Sequence, residues 1–137
     1  MIPSFTNMAN VKLFDYLSFN SNKATGITIT SEADPGEAAV SLTIQDLPAG
    51  TYKIAYAFQC TFGSKDKPCF FGLVGDNEDA NMFAITSSAN DALYMNRLYG
   101  YPFDWPGGAF STALHFYKDS GTTFVVDYTD LVVSRVG

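Results

Sequence analysis

A chain of 137 residues with 47% hydrophobic side chains carries enough apolar mass for one core without metals or disulfides. Its formal net charge of −6 disfavours nucleic acid and anionic membrane surfaces as partners, and no apolar run approaches the ~20 residues of a membrane-spanning helix. Charged residues make up 16% and aromatics 15%, so some rings are expected at the surface, as part of an interface or a ligand platform.

The opening run Met1-Ile2-Pro3-Ser4-Phe5-Thr6-Asn7 has neither the basic nor the apolar stretch of a secretory signal, and cytoplasmic synthesis is expected. Residues 1–10 read as an N-terminal arm and 11–137 as a single domain. Weak strand signals lie at 11–17 and 26–30. Val40, Leu42 and Ile44 then alternate with Ser41, Thr43 and Gln45. Leu47-Pro48-Ala49-Gly50 supplies turn chemistry, making a hairpin or a corner into the clearest strand of the chain. There Tyr52, Ile54, Tyr56, Phe58 and Cys60 take one face, predicted to be core. Thr51, Lys53, Ala55, Ala57 and Gln59 take the other.

Further strands are predicted at 70–74 and 82–86. Residues 88–100 fit either a helix opened by Ser88 and stopped by Gly100 or a strand, and the neighbouring strands favour the strand. Gly100-Tyr101-Pro102-Phe103-Asp104-Trp105-Pro106-Gly107-Gly108 reads as a loop. Phe110, Thr112, Leu114 and Phe116 alternate up to a turn at Asp119-Ser120-Gly121. Phe124, Val126 and Tyr128 share the next face, a break follows at Thr129-Asp130, and 131–136 is a last β-branched run. The sum is an all-β, antiparallel β-sandwich of jelly-roll type with eight or nine short strands.

Candidate sites are few. Tyr94, Tyr99, Tyr101, Phe103 and Trp105 form the densest aromatic cluster. Rings on a loop either stack on sugar faces and fill a partner's pocket, or plug one end of the sandwich. Pairing of 70–74 with 51–59 would set Cys60 and Cys69 face to face, where a cross-strand disulfide is possible, although two reduced, buried thiols are the default without an export signal. Asp76, Glu78 and Asp79 concentrate oxygen ligands in a turn of the sort calcium uses, but their spacing does not match an EF-hand loop, and a solvated acidic turn is expected. The single histidine, His115, sits mid-strand with no nucleophile or orienting carboxylate signalled beside it. No phosphate loop, nucleophile elbow, zinc-protease or paired-cysteine motif occurs, and Asp104 and Asp127 lack a glycosidase spacing. Binding or assembly is expected rather than catalysis, with no cofactor.

Asp46-Leu47-Pro48-Ala49-Gly50-Thr51-Tyr52 leading into a long aromatic strand, with the ending Tyr128-Thr129-Asp130-Leu131-Val132-Val133-Ser134-Arg135-Val136-Gly137, resembles the small jelly-roll virion proteins of tailed bacteriophages. These are capsid decoration (cement) proteins and fibre heads. The resemblance spans roughly residues 40–137 and implies no catalytic residues. It implies a location on the virion and a capsid decoration subunit bound to the major capsid protein or another virion protein. It further implies a homo-oligomer, a trimer in many such proteins. The alternative is a carbohydrate-binding or receptor-binding module that holds a glycan on the aromatic loop.

Overall fold

The computed structural model describes residues 17–76, 82–99 and 102–137. The predicted arm at 1–10 and most of the strand predicted at 11–17 lie outside them. Ten strands are present among the described residues. They are β1 (Ser18–Asn20), β2 (Ala24–Thr28), β3 (Glu37–Leu47), β4 (Gly50–Phe62), β5 (Cys69–Gly75), β6 (Phe83–Ile85), β7 (Ala92–Tyr99), β8 (Phe103–Trp105), β9 (Gly108–Lys118) and β10 (Phe124–Arg135). The ambiguous stretch after Ser88 is therefore a strand, and no helix occurs among the described residues.

One sheet has the order β1-β10-β4-β7, with β2 also on β10 and β8 also on β4. The other has the order β3-β9-β5-β6. All pairings are antiparallel, and β2·β10, β3·β9, β4·β7 and β5·β6 nest inside one another. Such nesting is a long hairpin rolled up on itself, which is the jelly roll. The expected fold class is thus the observed one, although β3, β4, β9 and β10, at 11, 13, 11 and 12 residues, are long rather than short.

The core follows the alternation. Tyr52, Ile54, Tyr56, Phe58, Cys60 and Phe62 of β4 are all buried, facing Phe110, Leu114 and Phe116 of β9. Phe58 is the hub, its ring centroid 4.9 Å from that of Phe71 and 5.1 Å from that of Phe116, both on the opposite sheet. The Pro48–Gly50 corner carries the chain between the sheets. The Tyr52 hydroxyl donates to the Pro48 carbonyl at 2.7 Å, and the Arg135 guanidinium donates to the Ala49 carbonyl at 3.0 Å.

Two expectations are corrected. First, β5 does not pair with β4. It lies in the other sheet beside β9 and β6, because successive strands of a jelly roll cross between layers. Second, the break near Thr129-Asp130 is a β-bulge, and β10 runs through it. The register shifts between Val126 and Tyr128, so Asp127 is the extra residue. The faces exchange there: Tyr128 points outward and Thr129 is fully buried. Most of the described rings lie inside, and some stand at the surface as expected. Among the described residues Phe83, 44% exposed, is the ring most open to solvent, while Phe70, Tyr117 and Tyr128 are half-buried on outer faces.

Candidate functional site

The predicted aromatic cluster is divided by the fold. Phe103 and Trp105 sit on β8 rather than on a loop, paired with β4 through Tyr52↔Phe103 and Gly50↔Trp105. Both rings turn inward onto Phe110. Phe103 stacks at 5.4 Å and 15°, and Trp105 meets it edge-on. Both are partly buried against the core, so they close that end of the sandwich. Tyr94 on β7 also faces inward, 6.1 Å from Phe58 and 6.2 Å from Phe62, and its hydroxyl accepts a hydrogen bond from Asn96 Nδ2. Tyr99 stands opposite Ala55 in the ladder, its side chain outside the described residues, as is the whole of Tyr101.

Cys60 and Cys69 are free, buried thiols on facing sheets rather than neighbours on a hairpin. Burial, then the proximity of Cys69 and Asp127, pushes the Cys60 thiol up to about 12. Burial also pushes Cys69 up to about 12, against the pull of Lys118. Neither thiol is set up as a nucleophile.

Asp76 has a local role: its Oδ2 accepts from the Ser111 amide and its own amide donates to the Ser111 carbonyl, both at 2.8 Å. These bonds extend the β5–β9 ladder just beyond Gly75. A Cβ on Gly75 would meet the Ser111 carbonyl oxygen at 2.4 Å, so that close approach requires glycine. Glu78 and Asp79 lie outside the described residues, and no cluster of metal-ligating side chains occurs among the described ones.

Two surfaces went unmarked in the sequence. The first is the outer face of the four-stranded sheet. Its central cross-strand rows are Tyr117–Phe70–Ala84, Ala38–His115–Gly72, Ser41–Ala113–Val74 and Thr43–Ser111. No lysine, arginine, aspartate or glutamate stands in these rows. Phe70 and Tyr117 are stacked at 4.4 Å and 10°, and Thr43 and Ser111 share a 3.1 Å hydroxyl contact. At the centre of the face, His115 Nδ1 is buried with no hydrogen-bond partner among the described residues.

The second is a trough of about 310 Å³ on the outer face of the six-stranded sheet, lined by Lys53, Ala55, Tyr56, Ala57, Asp130, Val132 and Ser134. Ala55 lies opposite Val132 and Ala57 opposite Asp130, with Ser134 opposite Lys53. Two alanines on the solvent side of a long central strand lower the floor between bulkier neighbours. The sequence signal was that pair of small residues at alternate positions between Lys53 and Gln59.

No protein-family model matches the sequence, and no curated protein matches it. Among solved structures, the chain is similar to the CBM36-1 domain of a multidomain xylanase from the hindgut metagenome of Trinervitermes trinervoides, at 15% identity over 88% of this chain and 98% of that one, with a TM-score of 0.47. It is similar to dimeric latent PorU from Porphyromonas gingivalis at 12% identity over 85% of this chain and 13% of that one, with a TM-score of 0.43. A structure of infectious bursal disease virus matches at 12% identity over 86% of this chain and 33% of that one, with a TM-score of 0.40. The chain thus spans nearly the whole of the xylanase domain and a third or less of the other two. Independently of these likenesses, the nested ladder of its own strands makes the chain an antiparallel jelly-roll sandwich.

Proposed function

We propose that the protein is a non-enzymatic structural subunit of a bacteriophage virion, a decoration protein that docks on the shell through the outer face of β3, β9, β5 and β6. The observation that carries this reading is the absence of ionic residues from the four central rows of that face, with Asp46 and Asp76 exposed at its rim. Charged residues are depleted at the centres of protein interfaces because each must be stripped of water, whereas hydroxyls, small residues and rings are desolvated at low cost. Phe70 stacked on Tyr117 offers a pre-ordered aromatic anchor.

The test is co-sedimentation of the purified protein with capsids of the parent phage. The wild-type chain should pellet at a fixed stoichiometry. Ser41→Arg with Ser111→Arg places two cations on the face at exposed positions and should abolish pelleting without lowering the melting temperature. Absence of wild-type binding, or unchanged binding by the double variant, would overturn the reading. Light scattering on the free protein distinguishes a second copy on the same face, including the trimer implied by the phage resemblance, from a shell protein.

A further inference from the structure

We propose that the trough on the opposite face, over Ala55, Ala57 and Val132, is a binding site for a neutral, extended saccharide. This inference does not rest on the virion reading, since it concerns the other sheet.

Position limits the kind of ligand. The trough lies over β4 and β10, two paired strands inside the six-stranded sheet. Their backbone amides and carbonyls are engaged in the ladder, so a peptide cannot be added here as another strand. Recognition falls to side chains. The floor is the methyl groups of Ala55, Ala57 and Val132, suited to the C–H face of a sugar ring. The rim is Lys53, Asp130 and Ser134, an ammonium donor, a carboxylate acceptor and a hydroxyl that does both. This mixture matches vicinal hydroxyls, which donate and accept together.

Charge and length narrow the class. Among the described lining residues one lysine and one aspartate balance, so these two select neither anion nor cation. The chain's net charge of −6 also repels acidic glycans. Lys53 lies opposite Ser134 and Asp130 opposite Ala57, four residues along the ladder. At ~3.3 Å per residue the two charged positions are ~13 Å apart along the strands. That is too far for the two ends of a free amino acid and fits an oligosaccharide laid lengthwise. The rim is also pre-set: the Tyr128 hydroxyl donates to Asp130 Oδ2, and Ser134 Oγ contacts Ser18 Oγ at 3.3 Å.

The experiment is a methyl NMR titration of the full chain, labelled at alanine and valine, with maltotriose, cellotriose and chitotriose. Triglycine and sialyllactose serve as the zwitterionic and anionic comparisons. At least one neutral trisaccharide should shift the Ala55, Ala57 and Val132 methyls saturably. Asp130→Asn should weaken that binding about tenfold, the loss expected for a charged hydrogen bond. Ala57→Leu fills the trough from the solvent side and should abolish binding at an unchanged melting temperature. The proposal is overturned if none of the three sugars shifts these methyls at millimolar excess. It is equally overturned if only triglycine or sialyllactose does so, or if both variants bind like the wild type.

Discussion

Trp105 stands edge-on to Phe110, ring centroids 5.0 Å apart at 85°, and its indole N–H reaches the Gly108 carbonyl at 3.3 Å. Phe103 stacks on the same Phe110 and lies 6.2 Å from Tyr52, so one buried ring anchors the whole of β8. Trp105→Ala should therefore destabilise the fold by about 2–3 kcal/mol, below the ~3–5 of a fully buried ring because Trp105 is only partly buried. Urea unfolding measures this. An unmoved midpoint would assign the indole to recognition alone.

Phe58 is 2% exposed and touches rings of both sheets. Phe58→Ala should cost about 3–5 kcal/mol, since the rigid strands on either side cannot close the cavity. A calorimetric melt within error of the wild type would mean that the inward face of β4 has been misread.

Cys60 and Cys69 are predicted to resist alkylation by iodoacetamide in the native protein at pH 8 and to react fully in denaturant. Burial withholds both from solvent and raises both to about 12. The same shifts fix a pH dependence. The folded thiols hold their protons more tightly than the unfolded ones, whose ordinary value is 9.0. Their contribution to stability is complete below that value and declines as pH rises from about 9 towards about 12. Denaturant midpoints across that range should fall, and replacing both cysteines with alanine should flatten the slope. A slope that survives the replacement belongs to other groups.

The parts of this fold that could be read from the sequence are those set by one strand at a time. The alternation from Tyr52 to Cys60 fixed a face because period two leaves no other way to bury Tyr52, Ile54, Tyr56 and Phe58 together. Partners are another matter. The short link between Cys60 and Cys69 suggested a hairpin, yet β4 and β5 belong to different sheets, a choice made by the nesting of distant strands. The prolines at 102 and 106 disguised β8, whose three residues pair only because the rings at 103 and 105 reach the core. The trough was hidden for a related reason. Its depth depends on Ala55 lying beside Val132, a neighbour 77 positions away that only the register supplies.

The bulge at Asp127 gives the sharpest comparison between sequence pattern and structure. Unbroken alternation from Phe124 through Val126 puts Tyr128 in the core and Thr129 outside. The extra residue reverses this, and Asp127 is held there by the Thr61 hydroxyl, 2.7 Å from its Oδ2. Thr129 is fully buried and its Oγ1 donates to the Ala57 carbonyl at 2.9 Å, whereas the Tyr128 ring lies outside beneath Lys23 Nζ, 5.7 Å from its centroid. Thr129→Val keeps the shape and removes the hydroxyl, so it should cost about 1 kcal/mol, the net value of one hydrogen bond. Tyr128→Ala should cost less than a buried ring does, at most about 1 kcal/mol. Deleting Asp127 should cost more than both together. Without the bulge, Leu131 and Val133 either turn to solvent or drag every residue from 128 onward one step along β4. Chemical denaturation of the three variants ranks them. If Tyr128→Ala proves as costly as a core phenylalanine while the deletion is tolerated, the strand runs without a bulge and the faces of its second half are exchanged.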